Sequence, residues 1–216
     1  MLTASDTAYA IAVIRAQEAE LAAAERLFED PYARVFAAAG EHALVLLGAG
    51  FDARALRLPE VAEANMQAFE IDFPAVLEIK RSLLEGSGVA IPGFVHHVGC
   101  DLASDFEERL AAELGAQGQP TMFIWEGVIA YIDQGAIDRS LHFMASLGGP
   151  GSRLIFDFSD YAYGPGWAEK RAREAGFTGF HEVAFDELWR RHLPGEPAAN
   201  APFVKLAIAS KDGIVR

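Results

Sequence analysis

Cysteine is almost absent from this chain, and long apolar runs are missing from it. Cys100 is the single cysteine, which excludes an intramolecular disulfide and a metal site built from several thiolates. No apolar run reaches the roughly 18 residues that a transmembrane helix needs. The first residues show no basic segment followed by an apolar stretch, so we expect no secretory signal. These absences predict a protein of the reducing cytoplasm.

Basic residues are scarce relative to acidic ones. The 216 residues include 18 Lys and Arg against 31 Asp and Glu, which gives a formal net charge of −13. A field of this sign repels phosphate backbones and anionic lipid. We therefore expect neither nucleic acid nor a membrane surface as a partner. The sequence leaves open whether the chain forms a homo-oligomer.

Short apolar runs alternate with helical patterns along most of the chain. Residues 7–28 predict an N-terminal helix, because Ile14, Leu21 and Phe28 recur every seven residues. Residues 43–47 are consecutive apolar residues before a glycine turn, which is typical of a strand buried on both faces of a parallel sheet. Further strands are predicted at residues 67–71, 93–98, 121–125, 153–158, 180–183 and 203–210. This alternation predicts an open, twisted α/β sheet that ends in an antiparallel pair.

Two of the predicted helices have definite start signals. Pro74 lies in the first turn of one helix, whose buried face is predicted to carry Val76, Ile79 and Leu83. The string SDFE at residues 104–107 is a capping box, which predicts that Ser104 caps the next helix.

Ligands of open α/β sheets bind beyond the carboxyl ends of the strands, so the residues after each strand are the candidates. Gly48 and Gly50 in the string GAG let the backbone approach a ligand closely, although tight strand-to-helix packing also explains them. Asp72 lies 22 residues beyond Gly50, where an acid accepts hydrogen bonds from both hydroxyls of a ribose. The alternative is a helix cap, but with Pro74 as the first helical residue that cap is Phe73.

Acidic residues also follow the third and fourth predicted strands. Because Ser104 is the predicted cap, Asp101 is predicted to face a ligand such as an adenine amino group, and a solvated loop side chain is the alternative. Glu126 lies in the apolar string IWEGV, so partial desolvation favours a cation partner. That cation could belong to a ligand or to a structural salt bridge.

The remaining polar residues are weaker candidates. His96 and His97 are adjacent on a strand and point to opposite faces, so they cannot form a metal pair. Cys100 has no second ligand nearby, and inert burial is predicted for it. No metal site is predicted. Tyr131, Asp157 and Asp160 complete the set of candidates near the strand ends.

Several motifs occur in a fixed order along the chain. They are LGAGFDARALRL at residues 47–58, FEIDFP at 69–74, DL at 101–102, and PTMFIWEGV at 120–128 followed by Tyr131, with SDTA, RAQE and DPYA starting at residues 5, 15 and 30. The ordered set resembles the leucine carboxyl methyltransferase-like family of class I S-adenosylmethionine-dependent O-methyltransferases, which includes bacterial enzymes of polyketide pathways. The resemblance covers most of the chain.

The resemblance implies a Rossmann-like core over residues 41–216 and an N-terminal helical cap over residues 1–40, together one structural domain. It implies cofactor contacts at Arg15, Gly48, Ala49, Gly50, Asp72, Phe73, Asp101, Leu102, Glu126 and Gly127, and catalytic roles for Glu126 and Tyr131. In this arrangement the glycines border the methionine portion of the cofactor, Asp72 holds the ribose, and Glu126 lies near the donor sulfonium.

One spacing departs from the family. Pro31 and Gly48 are only 17 residues apart, whereas family members place a much longer stretch between these two motifs. That stretch normally carries an arginine that pairs with the carboxylate of the cofactor. Arg15 or Arg54 could substitute for it.

The implied reaction is methyl transfer from S-adenosylmethionine to an oxygen of a small acidic or aromatic metabolite, with S-adenosylhomocysteine as product. A carboxylate acceptor needs no base, whereas a phenol benefits from one. Because no histidine has a motif position, the sequence favours a carboxylate slightly.

Two other functions remain open at this point. A nicotinamide-dependent oxidoreductase shares the glycine turn and the ribose acid, although the chain has no Tyr-x-x-x-Lys motif. A non-catalytic partner protein of the same fold is the other alternative.

Overall fold

One seven-stranded sheet organises the part of the chain that the computed structural model describes, residues 42–114, 118–192, 195–197, 199 and 203–213. The strands are β1 (Ala43–Leu47), β2 (Gln67–Asp72), β3 (Val95–Gly99), β4 (Thr121–Trp125), β5 (Arg153–Ser159), β6 (Gly179–Ala184) and β7 (Val204–Ser210). The helices are α1 (Arg54–Arg57), α2 (Pro59–Glu63), α3 (Pro74–Gly86), α4 (Phe106–Leu114), α5 (Gln134–Leu147), α6 (Asp160–Tyr163), α7 (Trp167–Ala175) and α8 (Phe185–His192), with a 3-10 turn at Ile129–Tyr131 before α5. The predicted helical cap lies outside the described residues.

The strand order is β3-β2-β1-β4-β5-β7-β6. Strands β1 to β5 pair in parallel, and β7 is antiparallel to both β5 and β6. The predicted α/β sheet with an antiparallel pair at its end is therefore confirmed. After β3 the chain returns to place β4 beside β1, so the strand order reverses between these two strands. The carboxyl ends of β1 and β4 flank the crevice where such sheets bind their ligands.

Strand β1 is buried along its whole length, as its continuous apolar run predicts. Val45 and Leu47 belong to the apolar core on one face of the sheet, and Leu44 and Leu46 belong to the core on the other face. Burying a leucine or valine side chain stabilises a fold by about 1.5–3 kcal/mol. These two cores hold the strand ends, and therefore the crevice, in a fixed position.

Helix α3 corrects one of the predictions. Two of its three expected core residues, Ile79 and Leu83, are more than half exposed, and Leu77 and Lys80 are buried in their place. Lys80 can be buried because its Nζ lies 2.6 Å from Oε2 of Glu70 on β2. A search for apolar periodicity misses this face because it counts a lysine as a surface residue.

Helix α4 corrects a second prediction, the cap at Ser104. The helix begins at Phe106, two residues after the predicted cap. Residues 101–105 form a turn instead, in which the amides of Ser104 and Asp105 donate to the carbonyl of Asp101. The Asp105 side chain accepts from the Asp101 amide at 2.9 Å, and this bond lowers the pKa of Asp105. Ser104 is therefore not the cap.

Within the described part of the chain, every helix is too short or too polar to cross a lipid bilayer.

Candidate functional site

The turn after β1 contains two glycines in left-handed backbone conformations, with φ angles of +66° at Gly48 and +48° at Gly50. A Cβ atom on Gly48 would lie 2.2 Å from Cγ2 of Val128, in the loop after β4. The close approach that the glycine motif predicts is therefore made, at Gly48, to the protein itself. Ala49 is buried, and its amide donates to the Ile71 carbonyl at 2.9 Å. Packing thus accounts for Gly48 and Ala49 without a ligand.

Asp72 lies at the end of β2 and binds the same turn. Its carboxylate accepts from the Gly50 amide at 2.7 Å and from the Phe73 amide at 2.7 Å. Burial raises the pKa of Asp72, while these two hydrogen bonds and Lys80 oppose the rise. Phe73 is the N-cap of α3, as predicted. Each carboxylate oxygen has a second lone pair. Asp72 can therefore hold the turn and still accept hydrogen bonds from the hydroxyl groups of a ribose.

The residues beside Asp72 differ in what they offer a ligand. Phe73 is 51% exposed and presents an aromatic ring at the carboxyl edge of the sheet. Leu102 is buried in the core, so its side chain offers little exposed surface to a ligand. The Asp101 side chain accepts from the Ala103 amide at 2.8 Å, which makes it part of a turn. The predicted adenine contact at residues 101–102 would therefore involve backbone groups and Oδ2 of Asp101, the oxygen that does not accept from the Ala103 amide.

Arg54 connects the turn after β1 with the end of β4. Its Nε lies 2.6 Å from Oδ2 of Asp52, and its Nη2 lies 2.5 Å from Oε2 of Glu126. Burial works against the charged guanidinium, but the two carboxylates outweigh it and raise the pKa of Arg54. Glu126 thus has the cation partner that its apolar surroundings predict. The trio carries one net negative charge, and a cofactor carboxylate at Arg54 has to compete with both acids.

Lys80 on helix α3 holds the turn after β1, a contact that the sequence does not predict. Its Nζ donates to the Asp52 carbonyl at 2.5 Å and to Oε2 of Glu70 at 2.6 Å. His97 Nε2 lies 3.0 Å from the same Glu70 oxygen. The one signal in the sequence is Glu70 itself, a charged residue inside the apolar run of β2.

A second part of the site lies beyond β4 and β5. Gly127, with a φ angle of +72°, donates its amide to Oδ1 of Asp157 at 2.7 Å. Burial raises the pKa of Asp157, and the nearby charge of Glu126 raises it further. A cavity of about 230 Å³ opens here and includes Tyr131 in its wall. Asp157 is thus a stronger candidate than its place inside a strand predicts.

Arg15 lies outside the described residues, so its predicted contact stays a prediction. The described residues contain no group of three or more His, Cys, Asp and Glu side chains that could hold a metal ion. His96 and His97 make separate contacts, with Gln67 and Glu70 respectively, as their opposite orientation on β3 predicts.

Cys100 is expected to be unreactive in the native protein. It is buried, and burial raises the pKa of its thiol to about 12, with the charge of Asp105 adding to the rise. Because the thiolate is the nucleophile, iodoacetamide at pH 8 should label the folded chain far more slowly than the urea-unfolded chain. Mass spectrometry of timed samples measures this. Equal labelling rates in both states would show that Cys100 is accessible.

The sequence of residues 36–145, just over half of the chain, matches the model of the leucine carboxyl methyltransferase family. This chain belongs to that family. The matched region contains the glycine turn, Asp72, Asp101 and Glu126, and it ends before Asp157. The predicted family is therefore confirmed.

Relatives and solved structures agree with this family assignment. A provisionally assigned S-adenosyl-L-methionine-dependent methyltransferase from Mycobacterium ulcerans is 38% identical over 130 residues, 60% of this chain and 41% of the relative. One from Parafrankia sp. is 32% identical over 189 residues, 87% of this chain and 58% of the relative. The chain thus spans about half the length of the curated relatives it matches.

The fold recurs in a crystal structure of a provisionally assigned methyltransferase from Thermobifida fusca. The two structures superpose with a TM-score of 0.60 and 18% sequence identity, covering 98% of this chain and 83% of the other. This leucine carboxyl methyltransferase family member therefore has the Rossmann-like methyltransferase fold that the resemblance implies.

Proposed function

We propose that this chain binds S-adenosylmethionine at the carboxyl ends of β1, β2 and β4 and transfers the methyl group to an oxygen of a small metabolite, of the polyketide kind that the family resemblance implies. The observation that carries the proposal is the acidic character of this edge. Four carboxylates lie at strand ends or follow them, Asp52, Asp72, Asp101 and Glu126, and a fifth, Asp157, lies two residues before the end of β5. Arg54 offsets only part of this charge, since it is shared between two of them.

The charge of the edge discriminates between cofactors. S-adenosylmethionine carries an ammonium and a sulfonium group, which a partly buried carboxylate such as Glu126 attracts. Nicotinamide dinucleotides carry a pyrophosphate, which the same carboxylates repel. Together with the family assignment, this supports S-adenosylmethionine over the oxidoreductase alternative.

The residues present fit the cofactor at three places. Asp72 offers lone pairs to the ribose hydroxyls, Phe73 offers an exposed ring for stacking on adenine, and Glu126 offers negative charge to the methionine end. When bound, the cofactor supplies an electrophilic methyl group on a positively charged sulfur. The chain contributes positioning and exclusion of water, which supply most of the acceleration in such displacements.

Calorimetric titration tests the cofactor. We expect S-adenosylhomocysteine, the product, to bind the folded chain, and we expect no heat of binding from NAD⁺ under the same conditions. Tight binding of NAD⁺ in place of S-adenosylhomocysteine would reverse the assignment to the oxidoreductase class. Binding of S-adenosylhomocysteine without turnover of any acceptor would favour the non-catalytic alternative.

The variant Asp72→Asn tests the ribose contact. Asparagine keeps the shape and one carbonyl oxygen for the Gly50 amide but loses the charge, so S-adenosylhomocysteine should bind about 1.5–3 kcal/mol more weakly, the range for hydrogen bonds to a charged group. Alanine is a poorer choice, because it also removes the two hydrogen bonds that brace the turn. Glu113→Gln is the control, since this exposed acid on α4 lies outside the site. Unchanged affinity of Asp72→Asn would show that the carboxylate serves only the turn.

A further inference from the structure

Lys80 on helix α3 reaches the turn that the proposed function assigns to the cofactor. Its Nζ donates to the Asp52 carbonyl at 2.5 Å and to Oε2 of Glu70 at 2.6 Å. The side chains of Lys80 and Glu70 are both buried. Lysine is almost never fully buried unless it is paired, so these two partners account for the position of its ammonium.

The alternation of side chains along β2 explains how the ammonium comes to lie near the site. Glu70 and Asp72 are two residues apart on this strand, so both side chains point to the same face of the sheet. Leu46, the β1 neighbour of Glu70, belongs to the core on that face. The contact between Lys80 and Glu70 places α3 over the same face. The ammonium therefore lies on the side of β2 from which Asp72 projects.

Lys80 and Asp72 bind the same turn at different points. The Asp72 carboxylate accepts from the Gly50 amide at 2.7 Å. Lys80 binds the carbonyl of Asp52, and the Asp52 amide donates to the Ala49 carbonyl at 2.8 Å. The turn of residues 49–52 is thus joined to β2 through Asp72 and to α3 through Lys80. Loss of the Lys80 contact would free one side of the turn to move relative to the Asp72 carboxylate.

The charge of Lys80 also acts on Asp72 directly. Burial raises the pKa of Asp72, and the nearby ammonium opposes that rise. An ionised Asp72 accepts hydrogen bonds at both oxygens, whereas a protonated carboxyl uses one oxygen as a donor. Lys80 thus favours the form of Asp72 that accepts from both hydroxyls of a ribose. The other titratable groups on the neighbouring elements are Glu70 on β2, Asp52 and Arg54 after β1, and Cys100, Asp101 and Asp105 after β3.

Stability alone does not account for a buried ion pair at this place. Two apolar side chains of similar volume often stabilise a fold as well as such a pair or better, because the charges of the pair lose their hydration. An apolar side chain at residue 80, however, would offer neither a donor to the Asp52 carbonyl nor a positive charge near Asp72. The contribution of the lysine is thus specific to the turn and to the Asp72 carboxylate.

We propose that Lys80 is a positioning residue for cofactor binding, which holds the turn of residues 49–52 and the Asp72 carboxylate in the arrangement that S-adenosylmethionine requires. This proposal rests on the proposed function. It adds a binding role for a buried side chain of α3, which acts through the turn and through Asp72 rather than by contact with the cofactor.

The double variant Lys80→Met/Glu70→Leu separates positioning from stability. It removes the ammonium together with the carboxylate that would otherwise be left unpaired, so we expect it to fold and to unfold at a higher urea concentration than Lys80→Met. Its Kd for S-adenosylhomocysteine, measured by calorimetric titration at pH 8, should nevertheless be at least about tenfold higher than that of the wild type, because a charged donor to the turn is lost.

The pH dependence of binding is a second measurement, which a purely structural role of Lys80 would not change. Without the ammonium the pKa of Asp72 should rise further, so protonation of Asp72 should weaken binding at a higher pH in the double variant than in the wild type. Titrations with S-adenosylhomocysteine from about pH 8 down to about pH 5 measure this difference. Glu70 is absent from the double variant and His97 is present in both proteins, so neither side chain explains a shift in this direction.

Lys170→Met is the control, since it makes the same substitution at an exposed position of α7 and should keep the Kd and the pH profile of the wild type. A double variant that also keeps both would overturn the proposal. So would a double variant that does not fold, because Lys80 would then be a structural residue. If the wild-type protein itself fails to bind S-adenosylhomocysteine, the proposed function is wrong, and the positioning role with it.

Discussion

Replacing Lys80 with methionine is expected to lower the free energy of unfolding by about 3–5 kcal/mol, the range for removing one partner of a buried ion pair. The side chains of Lys80 and Glu70 are 4% and 0% exposed, so the remaining carboxylate cannot be solvated. The substitution also leaves the Asp52 carbonyl without the 2.5 Å bond that holds the turn after β1. Urea unfolding followed by circular dichroism measures the loss.

The matched control is Lys170→Met on helix α7. Lys170 is 72% exposed and lies 3.9 Å from Glu174, so the same chemical change should stay within about 0.5 kcal/mol of the wild type. The double variant Lys80→Met/Glu70→Leu should be more stable than Lys80→Met alone, because it removes the buried charge that the single change leaves unpaired. Additive losses in the double variant would show that the two residues do not act as a pair.

Replacing Gly48 with alanine is expected to lower the free energy of unfolding by about 2–5 kcal/mol. The left-handed backbone at Gly48 costs an L-residue roughly 1–2 kcal/mol, and forcing a methyl group into a packed contact adds about 1–3 kcal/mol. The new Cβ would lie 2.2 Å from Cγ2 of Val128, and valine is stiff about χ1. Because the turn after β1 would move, binding of S-adenosylhomocysteine should weaken as well.

Gly88→Ala separates the two contributions. Gly88 has a φ angle of +72°, close to that of Gly48, but no heavy atom lies within 4 Å of its added Cβ. It should therefore show only the backbone cost, roughly 1–2 kcal/mol. The double variant Gly48→Ala/Val128→Ala should recover part of the loss by removing the clash. If Gly48→Ala and Gly88→Ala lowered the free energy of unfolding equally, the contact with Val128 would be of no energetic importance.

The acidic residues after the strands could be predicted because their positions follow from sequence order. Each buried strand ends at a recognisable change of composition, and parallel strands bring their carboxyl ends to one edge. Asp72 and Glu126 were found in this way, and the structure places both at that edge. The partners of Glu126 could not be predicted, since Arg54 lies 72 residues away along the chain.

The failed predictions share a physical cause. Apolar periodicity predicts a buried face of helix α3 that excludes Lys80, but Lys80 is buried because Glu70 on β2 neutralises it. The local motif SDFE predicts a cap at Ser104, but the Asp105 side chain and the Asp101 carbonyl form the hydrogen bonds of that turn. In both cases a polar group is paired with a partner whose position cannot be predicted from local sequence patterns.

The sequence by itself determined the positions of the strands, the glycine turn and the family, because these depend on apolar runs and motifs that are local in the chain. Only the tertiary structure decided what the turn and the acids contact. It placed Val128 against Gly48, Arg54 between two carboxylates, and Asp157 in a cavity without a described cation. These outcomes depend on distances between residues far apart in the sequence, and the strength of a contact or a charge pair depends on distance and burial.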